Sequence, residues 1–331
     1  MANPEWKRIT VIPNALTSRD LNVGNAVGTG LLCGADSFCT IYGHLECEAE
    51  YRIQYFTFLN AGSHGEYGGE AARSIYQARL QSVSQFVSEQ GISPIPVDSN
   101  ISELLQMKHQ LTHTVRNVAC ALNLQKLLRN YYYASAYRFD SFQLTEQDSA
   151  YYDLPTLSML STESTVFYSA VSRYTRVEKV EIISGFEPTY RYLHVCNSLS
   201  STSVVRNCSV CDKCMRTLVT LELLRKLRLY DRVFDIDAYT LKRNRYLAQA
   251  LLIRRMDQFS GEIVDLIRRR KCRISPIVYL YCVPVGVELL AKKLLRMMQE
   301  GPRPMRVVAA TLLAFYRSVR RLARRSVDRD T

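Results

Sequence analysis

IQYFTFLNAG, residues 53–62, is rich in aromatic and β-branched residues and stops at Asn-Ala-Gly. Such a run reads as a strand closed by a turn. Ala72, Tyr76, Leu80, Val83 and Val87 then recur every three to four residues, which predicts a helix. Gly91 sits where that helix would be C-capped. SPIPVDSN (93–100) predicts the next short strand, residues 101–129 a further helical stretch, and YYYASAY (131–137) another strand. Strands separated by helices of this length imply βαβ units and a parallel sheet covered on both faces. Ligands of such sheets bind beyond the carboxyl ends of the strands. Residues 215–331 hold almost no strand pattern, and no internal repeat is visible.

The 331 residues suffice for one large domain or two ordinary ones, and 47% hydrophobic with 22% charged residues is a globular balance. MANPEWKRITVIPN carries no apolar signal region, and Ile274–Val287, the longest apolar run, is broken by Pro276, Pro284 and Gly286. A cytoplasmic chain with reduced thiols is therefore expected. The net charge of +12 is uneven: residues 216–331 hold 26 Lys+Arg against 11 Asp+Glu, so the basic excess is C-terminal. Within it, Met305, Val308, Leu312, Phe315, Val319 and Leu322 form one apolar stripe, flanked by Arg306, Arg317, Arg320, Arg321, Arg324 and Arg325. This predicts an amphipathic helix with a basic side. Its expected partner is anionic, a lipid surface or nucleic acid, with a solvated basic face as the plain alternative. A lipid partner would make the chain peripheral to a membrane.

NCSVCDKCMRTL (207–218) places Cys208, Cys211 and Cys214 at two successive C-x2-C spacings, with eleven residues between Cys196 and Cys208. Four thiolates at these spacings can surround a zinc ion, and the intervening residues 197–207 are polar and loop-like. An iron–sulfur cluster is the competing occupant, and His194 is an alternative ligand to Cys196. Lys213 and Arg216 would offset the negative charge. A site closed by four protein ligands is structural.

VGTGLLCGADSFCTI (27–41) runs through Gly28, Gly30 and Gly34 into Ala35-Asp36-Ser37, with a helix expected from about Phe38. Small residues let backbone amides approach an anion, and a helix N-terminus favours one. Ser37 can offer a hydroxyl to phosphate, and Asp36 can bind magnesium. The plainer alternative is a tight turn with Asp36 as an ordinary N-cap.

Taken together, these two stretches resemble the PP-loop ATP pyrophosphatase superfamily, and within it the 7-cyano-7-deazaguanine synthase-like paralogues. Leu32-Cys33-Gly34-Ala35-Asp36-Ser37 aligns with the family's S-G-G-x-D-S loop, and Cys196, Cys208, Cys211 and Cys214 align with its zinc ligands. The likeness covers about residues 22–226. Leu32 stands where the family has serine, and Cys33 where it has glycine. The resemblance implies a Rossmann-like (HUP-type) sheet, ATP, Mg2+ and Zn2+, and cleavage of ATP to AMP and pyrophosphate while a carboxylate or carbonyl is adenylated for a nucleophile such as ammonia. It places Asp36, Ser37 and Arg73 in catalysis. It also puts residues 32–37, Asn60, Gly62, Ser63, Ser135 and Arg138 against nucleotide or substrate, with STES (161–164) and Lys179 near the same mouth. Residues 1–22 read as a leader, 23–228 as the nucleotide domain with its zinc site, and 229–331 as an added helical basic region.

The leading expectation is thus an AMP-forming carbon–nitrogen ligase acting on a carboxylate-bearing small molecule or modified macromolecule. The altered loop supports a competing expectation, a catalytically degenerate scaffold or binding protein. A tRNA- or nucleic-acid-modifying enzyme is a third. Neither the acceptor nor the oligomeric state is legible.

Overall fold

The computed structural model describes residues 10, 12, 14, 15, 18–45, 47–92, 94–196 and 206–300. Five strands form one all-parallel sheet: β1 (Ala26–Gly30), β2 (Tyr55–Asn60), β3 (Pro94–Asp98), β4 (Leu128–Ala134) and β5 (Val166–Ala170), in the order β3-β2-β1-β4-β5. Thr29 is in register with Phe56 and Tyr132, and Tyr132 with Tyr168. The helices between the strands are α1 (Ala35–Gly43), α2 (Glu70–Glu89), α3 (Ile101–Leu105), α4 (His109–Leu122) and α5 (Asp153–Leu160). After β5 come α6 (Arg176–Ile183), α7 (Thr189–Tyr192), α8 (Asp212–Leu223), α9 (Ile236–Ile253), α10 (Gln258–Arg269) and α11 (Pro276–Glu300).

Side chains alternate across the sheet, as strand geometry requires. Val27, Phe56, Phe58 and Tyr132 meet Phe38 of α1 and Phe86 of α2 on one face. The Phe38 and Phe86 rings pack edge-on at 5.1 Å. Ala26, Tyr131, Tyr133 and Phe167 meet Val118 of α4 and Leu157 of α5 on the other. Both faces are covered, so the fold is Rossmann-like, and the strand order reverses direction between β1 and β4. That junction is where a crevice opens in sheets of this kind.

Local chemistry fixes the element ends. At the end of α2, Gly91 takes φ +68 while its N–H bonds the Ser88 carbonyl and Ile92 N–H bonds that of Val87. This pattern needs a left-handed residue, hence glycine. Thr175 and Glu178 cap α6 reciprocally, and Asp235 and Asp257 cap α9 and α10. Two expectations shift. The helix expected from Phe38 begins at Ala35, and its N-cap is the extended Gly34 rather than Asp36. The expected 101–129 helix is two helices, divided at Gln106, whose φ is +47, and a strand begins at Leu128. The fully buried Arg116 donates to the Met107 carbonyl at 2.6 Å and holds that break in place.

Residues 229–300 share the main core: Phe234, Tyr239, Ile263 and Val278 are buried in the same cluster as Val27 and Phe38. The stripe expected at 305–325 and most of the leader at 1–22 lie outside the described residues. Among the described residues no helix is long and apolar enough to cross a membrane.

Candidate functional site

β1 ends at Gly30, and three residues carry the chain to Gly34 and α1. Cys33 turns this corner at φ +56, a left-handed conformation rare for a residue with a Cβ. Its thiol is buried, and burial pushes it up to about 12, which favours the neutral thiol over the thiolate. The corner is braced from outside: His194 N–H donates to the Cys33 carbonyl at 2.8 Å, and Arg79 Nη2 to the Leu32 carbonyl at 3.2 Å.

Asp36, in the first turn of α1, faces two cations from α6. Arg176 Nη1 donates to Oδ2 at 2.7 Å and Lys179 Nζ to Oδ1 at 3.0 Å. Arg176 and Lys179 are three positions apart and so share a helix face. Lys179 is fully buried and also donates to the Ser135 and Ala136 carbonyls at 2.6 and 3.3 Å. Burial alone would raise the Asp36 carboxyl, but Arg176 and Lys179 outweigh it and hold it below its ordinary value. Burial lowers the Lys179 ammonium, against the pull of Asp36.

Asp36 and Arg176 border a cavity of about 720 Å³ beyond the carboxyl ends of β1, β2 and β4, and Lys179 is buried behind them, outside its lining. Two chemistries line it. One is cationic: Arg79, Arg176, Lys213 and Arg216. Lys213 and Arg216 come from the first turns of α8, and the Arg216 guanidinium lies 3.8 Å from the Phe259 ring of α10. The other is a polar and aromatic network. Asp148 accepts from His113 at 3.0 Å, Gln110 at 2.6 Å and Tyr137 at 3.2 Å. Asp153 accepts from Thr114 at 2.5 Å, and burial raises its carboxyl to about 7. Tyr137 stacks on Tyr151 at 3.9 Å. Burial pushes His109 down to about 3, so its imidazole is neutral.

The candidate residues divide. Leu32, Gly34, Ala35, Asp36, Ser37, Gly62 and Ser63 line the cavity. Ser37 donates to the Gly34 carbonyl at 3.1 Å. Gly62, at φ +107, admits no side chain, since a Cβ would fall 2.7 Å from His109 Nδ1. Cys33 borders a separate small void behind the loop. Four others are not among the lining residues. Arg73 pairs with Asp98 and Glu103 at 3.5 and 3.0 Å, Asn60 bonds Asp98 at 2.7 Å, Arg138 pairs with Asp140, and the Ser135 hydroxyl pairs with Ser169 at 2.6 Å. Residues 161–164 are at the opposite edge from the expected mouth: they lead into the amino end of β5, where Thr165 bonds the Leu128 carbonyl at 2.7 Å.

The sulfurs of Cys196, Cys208, Cys211 and Cys214 lie within 4.8 Å of one another, two pairs at 3.9 Å. Tetrahedral zinc with bonds of about 2.3 Å separates its sulfurs by about 3.8 Å, so this group can hold a metal ion such as zinc. Neighbouring Cys211, together with burial, pushes the Cys214 thiol far up, and a cation is what would let four sulfurs ionise together. Asn207 organises the knot: its Oδ1 accepts from Val195 and Cys196 N–H at 2.8 and 3.1 Å, and its Nδ2 donates to Leu193 and Val233 carbonyls at 2.9 and 3.0 Å. Cys211 N–H donates to Cys208 Sγ at 3.3 Å. Lys213 lies between two of the cysteines and lines the cavity. His194 is two residues before Cys196 and braces Cys33, so knot and loop are joined.

Arg176, Phe259 and the His113–Asp148–Asp153 network were not singled out from sequence. The T-x-x-E cap at Thr175–Glu178 marks the start of α6 and could have drawn attention to Arg176 and Lys179 on it. No protein-family model, curated protein or solved structure matches this chain.

Proposed function

We propose that the chain is a PP-loop-type, AMP-forming adenylating enzyme of HUP-type architecture, with ATP in the cavity beyond β1 and β4 and a carboxylate-bearing acceptor beside it. The observation that carries this reading is the convergence of Arg176, Lys213 and Arg216 on one cavity with Asp36 and the opening turn of α1. Cations and backbone amides fixed in advance around a large concave site suit a triphosphate and stabilise departing pyrophosphate. In the reaction, an acceptor carboxylate oxygen attacks the α-phosphorus and pyrophosphate leaves. Ammonia or an amine then attacks the acyl carbon and AMP leaves with the bonding pair. Arg176, Lys213 and Arg216 hold phosphate oxygens, while Lys179 keeps Asp36 oriented and ionised. When bound, Mg2+ would supply further neutralisation of phosphate charge, and Asp36, whose carboxylate is paired with Arg176 and Lys179, is the residue that would hold it. Zinc would be held by Cys196, Cys208, Cys211 and Cys214 and would fix the start of α8, which presents Lys213. The test is thermal stability with Mg-ATP, alongside pyrophosphate release with candidate carboxylates plus ammonia. A ligand at 100 times its Kd stabilises by about 2.7 kcal/mol, a readily measured shift. Arg176→Ala should abolish both signals, and the absence of both in the wild-type protein would remove the proposal.

A second reading, a scaffold that has lost catalysis, is favoured by one observation: the Asp36 carboxylate is already engaged by two cations, beside a loop cornered by Cys33 rather than glycine. A nucleotide-induced shift without pyrophosphate release from any carboxylate tested would favour it.

A further inference from the structure

α11 buries one side against the core through Val278 and Val285 and leaves a second apolar stripe in solvent. Leu280, Val283, Val287, Leu290, Leu294 and Met297 are each 59–72% exposed. Their spacing is 3-4-3-4-3, the 3.5-residue period that keeps a seam facing a partner helix. The chain beyond α11 repeats that spacing: Met305, Val308, Leu312, Phe315, Val319 and Leu322 are also spaced 3-4-3-4-3. Between the stripes lies Gly301-Pro302-Arg303-Pro304, four residues that stop a helix and match the length of a helix–helix turn.

We infer that residues 305–325 dock antiparallel on the exposed stripe of α11 as the second arm of a helical hairpin. Folding the two stripes across that turn sets Leu294 opposite Val308, Leu290 opposite Leu312 and Val283 opposite Val319, with no stripe member left over. Each stripe spans 18 residues, about 26 Å of helix. In the heptad frame set by the second stripe, Arg306, Arg317, Arg320, Arg321 and Arg324 take positions away from the seam. The positions beside the seam are mostly small or neutral, Ala309, Thr311, Tyr316, Ser318 and Ala323, and the exception, Arg325, falls at the end of the hairpin far from Lys293. No like charge is therefore forced against Lys293 of α11. A four-residue tether also gives the segment a high effective concentration at this face, ahead of any partner in solution. Docked in this way, the arginines form an outward basic ridge on a rigid arm.

The test is hydrogen exchange on the full chain, wild type against Leu312→Asp/Val319→Asp, with molar mass measured over a range of concentrations. Both changes leave the sequence of α11 and of the described core unaltered. Amides of 280–297 should exchange at least tenfold faster in the variant, with the wild type monomeric and its protection independent of concentration. A cysteine pair at Leu290→Cys and Leu312→Cys should cross-link within one chain on oxidation, and Leu290→Cys with Leu322→Cys should not, read by peptide mapping. Equal exchange in both proteins would overturn the inference. So would protection that rises with concentration alongside a dimer mass, since a second copy then covers the stripe. Protection appearing only with phosphatidylserine vesicles would replace the hairpin with a lipid surface.

Discussion

Lys179 shows how one side chain can tie a site to its scaffold. A fully buried ammonium is tolerated only because Asp36 and two carbonyls surround it. Removing one partner of a buried pair costs more than the pair contributes, since the remaining charge is left uncompensated. Asp36→Ala leaves Lys179 and Arg176 facing each other, and a loss on the order of 3 kcal/mol is expected in denaturant unfolding, with Asp36→Asn milder. Because the Asp36 carboxyl is held low, its contribution is complete above the ordinary value of 3.8 and is lost on acidification below it. Asp153 has the opposite sign. Its carboxyl is raised from 3.8 to about 7, so the folded protein holds a proton there that the unfolded chain releases. Stability therefore falls as pH rises from about 4 to 7, by at most about 1.4 kcal/mol per pH unit for a single group. Asp153→Asn keeps an acceptor for Thr114 and should flatten that slope in melting curves taken between pH 5 and 8. An unchanged slope would show that Asp153 does not hold the proton.

At the scale of elements, the four-cysteine knot and α8 behave as one unit, because Cys211 is the N-cap of α8 and Cys214 lies in its first turn. Loss of the metal should therefore disturb the opening of α8 and, with it, Lys213. We expect one zinc per chain in purified protein, and a chelator or Cys208→Ser should weaken pyrophosphate binding at least tenfold by calorimetry at temperatures where the far-ultraviolet dichroism is retained. Metal removal with unchanged anion affinity would separate the knot from the cavity. The knot was legible in the sequence because its ligands are nearly contiguous and their spacing is chemical. The strands β2 and β4 and the helix α2 were legible because each carries a strong local pattern. β5 was not marked as a strand: VFYSA is short and Tyr168 on it is exposed, which weakens the alternation. The start of α1 was misplaced by three residues because Gly34 caps it without a side chain. The site itself was only half legible. Asp36 could be singled out beside its glycines, whereas Arg176 meets it from 140 positions away, a distance over which no local pattern carries information.

Across the described molecule, the part of the basic C-terminal region up to residue 300 is structural before it is anything else. Residues 229–300 bury Phe234, Tyr239, Ile263 and Val278 in the core that also holds Val27 of β1. α10 reaches the cavity through Phe259, whose ring lies under Arg216 and stacks on Tyr137 at 5.6 Å. The aromatic ring thus joins the cationic lining to the polar one. A guanidinium over a ring in a partly desolvated site gains about 1 kcal/mol, which corresponds to about fivefold in affinity. Phe259→Ala should weaken Mg-ATP or pyrophosphate binding by about that factor, while Phe259→Leu, which restores bulk without the π face, should recover stability but not affinity. Calorimetric titration of both variants, with their melting temperatures measured in parallel, distinguishes the two roles. If leucine restores affinity as well, Phe259 acts only as a spacer, and the orientation of Arg216 is set by α8 alone.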